Sequence, residues 1–365
     1  MRSDTQRNVS FANAFGNVEP VRKTINGLNI MVDPRMELLA AVQFMSGYND
    51  RTYLLTNEQF SYKNDMSEYF RNFRSHAAVK YFDTLSSKYN FTYDAPPAAT
   101  LYVTAQYDET GNFGFSEYLI NRTGIDKLDK FARYLLQFSA DTDFSRFYNE
   151  HMDFYEEVVE RTAAVMEDDL IGDIENYYGI KQNSYNIILV PMFHPGGFAS
   201  RLENKDGSFD IYSIQGPLGA DGDIPVFGTA GSFGDLVYHE FGHSFVNPLT
   251  EKYRDEVNKH QKLYEPIADK MGSGSNAYGS WETCVNEHIV RAVTARLLLT
   301  HEGGEIYLKT LDQERAKGFY YINDICKKLE EFEANREKFG SFEEFYPELE
   351  NVLKNLSERE PGDGC

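Results

Sequence analysis

Residues 232–248 read SFGDLVYHEFGHSFVNP, and this stretch predicts a helix that carries two histidines on one face. Ser232 and Asp235 have the S-x-x-D spacing of a capping box, which predicts where the helix begins. Apolar side chains then recur at helical spacing, at Leu236, Val237, Phe241 and Phe245. The pair Asn247-Pro248 predicts the end of the helix, because a residue before proline is disfavoured in the α region.

His239, Glu240 and His243 within this helix form the pattern H-E-x-x-H. Residues four positions apart share a helix face, so both imidazoles can reach one metal ion. Glu240 directly follows the first histidine, where its carboxylate can act as a general base on a water activated by the metal. The pattern therefore predicts a Zn²⁺ site with His239 and His243 as ligands and Glu240 as the catalytic residue.

The third ligand is expected from a second helix over residues 280–299, SWETCVNEHIVRAVTARLLL. A third histidine in the pattern HExxHxxGxxH is excluded, because Val246 and Leu249 occupy the glycine and histidine positions. The second helix offers Glu282 and Glu287. At about 100° per residue, Glu282 falls near the middle of its apolar face and Glu287 falls away from that face. Periodicity alone therefore leaves both glutamates open and favours Glu282.

A family resemblance bears on the same choice. Asn286-Glu287 followed by HIVRA resembles the ligand segment of gluzincin peptidases such as the thermolysin-like enzymes. Together with HEFGHSFVNP and the early stretch VDPRMELLAAVQFMSGY at 32–48, it resembles an uncharacterised bacterial family of zincin-like proteins over most of the chain. The resemblance implies His239, His243 and Glu287 as metal ligands and Glu240 as the general base. It implies no particular substrate.

Composition indicates a globular protein with a large core. The chain has 365 residues, of which 41% are hydrophobic and 15% aromatic. Its net charge of −21 argues against a nucleic-acid partner or an anionic membrane surface. Three widely spaced cysteines give no disulfide framework.

The sequence contains no signal-peptide hydrophobic region, and no run approaches the ~18 apolar residues of a transmembrane helix. We therefore expect no integral membrane association. The expected location is cytoplasmic if the chain is complete, and secreted or surface-attached if a leader has been removed.

The expected fold class is α+β and predominantly helical, with a zincin-like catalytic core and a small mixed or antiparallel sheet before the H-E-x-x-H helix. Turn and strand patterns predict a hairpin over Val21–Val32 that turns at Asn26-Gly27. They also predict a buried strand over Asn186–Phe193, and pairing of Phe198–Glu203 with Phe209–Gln215. Residues 100–107 are expected to form a further strand.

Four regions are expected along the chain. They are a flexible arm over residues 1–20, a mostly helical region with the hairpin over 21–180, a zincin-like metallopeptidase core over 181–356, and a flexible tail over 357–365.

The expected function is hydrolysis of peptide bonds by a zinc-dependent peptidase, with a peptide or protein as its substrate. One alternative is an inactive zincin-fold binding or scaffold protein with a structural metal, which would have four protein ligands. Another is a metal-dependent hydrolase of a different amide or an ester, which would share every site residue.

Overall fold

The chain folds into two units, each built from separate parts of the sequence. Unit 1 falls within residues 1–167 and 183–230, and unit 2 within residues 168–182 and 231–365. The structure is a computed structural model that describes residues 18–103, 113–166, 169–272 and 278–358. The expected N-terminal arm and C-terminal tail lie mostly outside these residues.

Unit 1 contains a five-stranded sheet. Its strands, in spatial order, are β1 (Val21–Ile25), β2 (Leu28–Val32), β3 (Ser184–Leu189), β5 (Phe209–Gly216) and β4 (Gly196–Glu203). Strands β2, β3 and β5 are parallel, while β1 and β4 pair antiparallel at the two edges. Strands β6 (Gly219–Asp221) and β7 (Ile224–Val226) form a separate antiparallel pair. The predicted small mixed sheet is confirmed.

The turns of the two predicted hairpins have the expected chemistry. Asn26 and Gly27 both have positive φ, at 46° and 81°, as a two-residue turn between right-twisted strands requires. Between β4 and β5, Gly207 has a φ of 83°, and the side chain of Asp206 accepts a hydrogen bond from the Ser208 amide at 3.0 Å. Both predicted strand pairings are confirmed.

The two units do not follow the boundary expected near residue 180. Leu28 of β2 lies opposite Tyr185 of β3 in the parallel register, so the early hairpin and the later strands share one sheet. The strands expected in the metallopeptidase region therefore belong to unit 1, whereas the H-E-x-x-H pattern belongs to unit 2.

Nine α-helices of unit 1 fall within the part of the chain that the structure describes. They are α1 (Pro34–Met45), α2 (Tyr48–Thr52), α3 (Ser61–Phe70), α4 (Ala77–Lys88), α5 (Ala95–Leu101), α6 (Glu117–Thr123), α7 (Ile125–Thr142), α8 (Phe144–Glu150) and α9 (Met152–Ala164).

Helix α5 replaces the start of the strand expected over residues 100–107, so that prediction is wrong for residues 100 and 101. Pro96 and Pro97 lie in its first turn, where a helix needs no amide donor. Residues 104–107 lie outside the described residues.

All the regular secondary structure in the described residues of unit 2 is helical. Its α-helices are α10 (Leu170–Tyr178), α11 (Ala230–Lys252), α12 (Arg254–Asn258), α13 (Ala268–Met271), α14 (Trp281–Glu302), α15 (Gly304–Lys317), α16 (Ile322–Ala334) and α17 (Phe342–Glu358). Helix α14 packs against α15 and α16. The α+β, predominantly helical fold class is thus confirmed. Within the ranges that the structure covers, no helix has the length and apolar character needed to cross a membrane.

Helix α11 is longer than the sequence predicts at both ends. It begins at Ala230, two residues before the predicted cap, and it continues through Pro248 to Lys252. A proline inside a helix costs about 3 kcal/mol, so the last turn needs tertiary contacts. Those contacts exist: Leu249 and Thr250 are buried, and the Thr250 hydroxyl lies 2.6 Å from the Tyr346 hydroxyl. The predicted helix end at Asn247-Pro248 is wrong.

Candidate metal centre

The two histidines of α11 meet a glutamate of α14. The Nε2 atoms of His239 and His243 lie 3.2 Å apart. Glu287 Oε1 lies 3.4 Å from His243 Nε2, and Glu287 Oε2 lies 3.7 Å from His239 Nε2. These side chains expose only 18%, 13% and 9% of their surface. The three residues therefore form a group whose ligand atoms are close enough to hold one metal ion.

The spacing of these atoms agrees with the needs of a small tetrahedral ion. Zinc–nitrogen and zinc–oxygen bonds of about 2.0–2.2 Å place tetrahedral ligands roughly 3.3–3.6 Å from one another. The observed separations of 3.2, 3.4 and 3.7 Å lie close to that range. Two imidazoles and one carboxylate also form a donor set that zinc accepts. The residues present therefore fit the metal that the motif implies.

Close packing between helices explains why a glycine stands beside His243. A Cβ atom added to Gly242 would lie 3.1 Å from the Tyr178 hydroxyl and 3.2 Å from Val290 Cγ1. Val290 belongs to α14, one turn from Glu287. Gly242 thus lets α11 and α14 approach closely enough for the histidines to meet the glutamate.

Hydrogen bonding and burial act differently on the two histidines. His243 Nδ1 lies 3.1 Å from the side-chain oxygen of Asn247, so Nδ1–H can donate to Asn247 while Nε2 faces Glu287. Burial lowers the pKa of His239 to about 3, which keeps that imidazole uncharged at neutral pH. Burial also lowers the pKa of His243, but the hydrogen bond to Glu287 and its charge outweigh burial and raise it overall.

Glu287 is ionised in spite of its burial. Burial raises its pKa, but the hydrogen bond from His243 and the positive charges of His243 and Arg291 lower it well below the usual range. A carboxylate in this state offers the negative charge that a divalent cation requires.

Glu240 has the opposite electrostatic environment. It is 7% exposed and lies on α11 between the two histidines. Burial raises its pKa to about 7, since the opposing influence of His243 is smaller. A carboxyl group with this pKa can both accept and release a proton near neutral pH.

Glu282, the alternative third ligand, lies beside other partners. Its carboxylate accepts hydrogen bonds from Arg254 Nε at 3.3 Å and from Asn258 Nδ2 at 3.0 Å. It is half-buried next to α12. Glu287, and not Glu282, is the glutamate that the structure brings to the histidines.

Sequence reasoning missed Tyr278 and Glu314, two side chains that lie near Glu287 and contact Arg291. Arg291, one helical turn from Glu287, donates from Nε to Glu287 Oε2 at 3.1 Å. Its guanidinium also donates to Glu314 Oε2 at 2.9 Å and to the Tyr278 hydroxyl at 3.2 Å. Glu314 belongs to α15 and Tyr278 precedes α14, and no local pattern in the sequence links either residue to the motif.

Comparison with known proteins identifies a family but no activity. No curated protein and no solved structure matches the chain. A family profile does match residues 28–352, which include all four residues predicted for the site. The description of that family assigns no reaction to it. The chain belongs to the family described as "Domain of unknown function (DUF4932)".

Proposed function

We propose that the protein is a zinc-dependent hydrolase, specifically a peptidase, in which Glu240 is the general base. The observation that carries the proposal is the meeting of His239, His243 and Glu287. The buried carboxyl of Glu240 is close enough to interact electrostatically with His243 and Glu287. The donor set and the H-E-x-x-H spacing support zinc as the metal.

The number of protein ligands favours a catalytic site over a structural one. Structural zinc sites are closed by four protein ligands, whereas catalytic sites use three and keep one position open. Within the described ranges, the group consists of three residues, with no fourth His, Cys, Asp or Glu ligand. This count supports a hydrolase rather than a scaffold protein that retains a structural metal.

When bound, zinc would supply Lewis acidity that polarises a substrate carbonyl and acidifies water. The protein's own contribution begins at Glu240. Its carboxylate would take a proton from the attacking water and later deliver that proton to the leaving amine. Without a metal, burial raises the pKa of Glu240 to about 7. A bound divalent cation would lower that pKa, which favours the carboxylate that takes the first proton.

Peptides are the proposed substrates because of the resemblance to gluzincin peptidases, which is an argument by analogy. The same residues would also hydrolyse other amides or esters. Substrate class therefore requires its own measurement.

The test has two stages, both on the full chain purified without a histidine tag. Elemental analysis first measures zinc per chain, and we expect one. The zinc-loaded protein is then offered a peptide library and a set of small esters, with a chelator-treated sample as the control. Zinc-dependent cleavage of peptides supports the proposal. Cleavage of esters alone would show that the protein is an esterase and not a peptidase. A protein that binds none of the zinc offered would refute the metal site.

A further inference from the structure

Arg291 links Glu314 to the candidate metal centre. The Arg291 guanidinium lies between two carboxylates, with Nε 3.1 Å from Glu287 Oε2 and Nη1 2.9 Å from Glu314 Oε2. Glu314 is itself 7% exposed, so its charge has been removed from water. On its far side, Lys317 Nζ donates to Glu314 Oε1 at 2.7 Å. Charges of alternating sign therefore run from Lys317 to Glu287.

Arg291 is held firmly in this arrangement. Besides the two carboxylates, its Nη2 donates to the Tyr278 hydroxyl at 3.2 Å. The guanidinium carbon lies 4.4 Å from the centre of the Phe319 ring, a cation–π contact. Two hydrogen bonds, to Glu314 and Tyr278, and the Phe319 ring thus hold the guanidinium that donates to Glu287 Oε2.

A positive charge beside a metal ligand has two effects. It orients the carboxylate, which favours metal binding, but it also repels a divalent cation, which opposes binding. Removal of Arg291 would change both effects in opposite directions. Removal of the Glu314 charge should change metal affinity in one direction only. The charge of Arg291 would then be less neutralised, so it would repel a cation more and attract the Glu287 carboxylate more strongly. Both consequences weaken metal binding.

We infer that Glu314 is a positioning residue, which sets the metal affinity of the centre by neutralising and holding Arg291. The inference rests on the proposed function only in that His239, His243 and Glu287 bind a metal. It extends the site to a helix, α15, that contributes no ligand.

The expected result of Glu314→Gln is a loss of zinc affinity of up to about 10-fold, the lower end of the range for direct partners of metal ligands, because Glu314 acts through Arg291. The glutamine keeps the shape and can still accept a hydrogen bond from Arg291, but it lacks the charge. If Glu314 acts through Arg291, the same substitution in an Arg291→Met background changes affinity by much less, because the coupling has been removed.

Zinc affinity of the metal-free full chain is measured by competition with a chromophoric chelator, alongside the melting temperature of the metal-free protein. Glu333→Gln is the matched control. Glu333 accepts a hydrogen bond from Arg296 Nε at 3.0 Å. The control substitution therefore removes a carboxylate from another arginine of α14, one that has no contact with the ligands in the described structure. Control and wild type should bind zinc equally. Glu314→Asp keeps the charge and should bind more tightly than Glu314→Gln.

The possible outcomes distinguish failure of the proposed function from failure of the role of Glu314. A wild type that binds no zinc refutes the proposed function itself. A wild type that binds zinc, with Glu314→Gln binding as tightly, refutes only the role of Glu314. Equal losses in the wild-type and Arg291→Met backgrounds would show that Glu314 does not act through Arg291. If Glu314→Gln does not fold, Glu314→Asp with the affinity of wild type would also contradict the positioning role, since the shorter side chain must disturb the Arg291 contact.

Discussion

His243 Nε2 lies 3.4 Å from Glu287 Oε1, although the two residues belong to different helices. This contact joins the H-E-x-x-H pattern to the helix that resembles a gluzincin ligand segment. The contact supplies the carboxylate that completes the group of three candidate ligands.

Glu287→Ala is expected to abolish stoichiometric zinc binding, because it removes the only carboxylate of the group of three. The control is Glu282→Ala on the same helix, whose carboxylate pairs with Arg254 and Asn258 instead. Elemental analysis of both variants after dialysis distinguishes them. Loss of zinc from Glu282→Ala, with retention by Glu287→Ala, would reverse the assignment.

Asn247→Ala is expected to weaken zinc binding by about 10-fold, since His243 Nδ1 would lose the acceptor that orients its ring. Asn247 is exposed, so little effect on folding is expected. Chelator competition measures the affinity, and the melting temperature of the metal-free variant measures stability. An unchanged affinity would mean that helix packing alone orients the His243 ring.

Gly242→Ala is expected to destabilise the protein by about 1–3 kcal/mol, the usual cost of overpacking, despite the better helix propensity of alanine. The new methyl group would lie 3.1 Å from the Tyr178 hydroxyl. Tyr178→Phe removes that hydroxyl, which is buried without a hydrogen-bond partner among the described residues. Urea unfolding should therefore show a smaller cost for Gly242→Ala in the Tyr178→Phe background. Equal costs in both backgrounds would implicate Val290 as the main obstacle.

Glu37 of unit 1 is expected to make stability depend on pH. It is fully buried, and burial raises its pKa to about 8 despite the hydrogen bond from Tyr62. Between pH 4.5 and 8 the folded protein keeps a proton that the unfolded chain has released. The contribution of Glu37 to the free energy of unfolding is therefore fully present below pH 4.5 and decreases as pH rises to 8.

Denaturant unfolding of wild type and Glu37→Gln at pH 5 and pH 8 measures this contribution. We expect the wild type to lose more stability than the variant between the two values, because glutamine does not titrate. A parallel decrease in both proteins would assign the pH dependence to other groups.

Local chemistry made part of the fold predictable. Asn26-Gly27 predicts a hairpin because both residues tolerate positive φ, and Asp206-Gly207 predicts a second one for a similar reason. The parallel pairing of β2 with β3 was not predictable in this way, because it joins segments far apart in sequence with no turn between them. The unit boundaries depend on that pairing, so the expected division of the chain near residue 180 differs from the observed one.

The site, too, could be predicted from the sequence only in part. His239, Glu240 and His243 follow from a fixed spacing on one helix. Periodicity favoured Glu282 over Glu287 because it assumes one buried face, whereas α14 is buried on several sides and includes buried Glu287, His288 and Arg296. Only the family resemblance indicated Glu287.

Proteolysis by zinc-loaded wild type and Glu240→Gln, compared at equal measured zinc content, tests the central claim most directly. The account predicts that the variant keeps its zinc and loses at least about 10²–10⁴-fold in peptide cleavage, the usual contribution of a general base. Equal cleavage by the two proteins, or no hydrolysis by the zinc-loaded wild type of any peptide or ester offered, would contradict it.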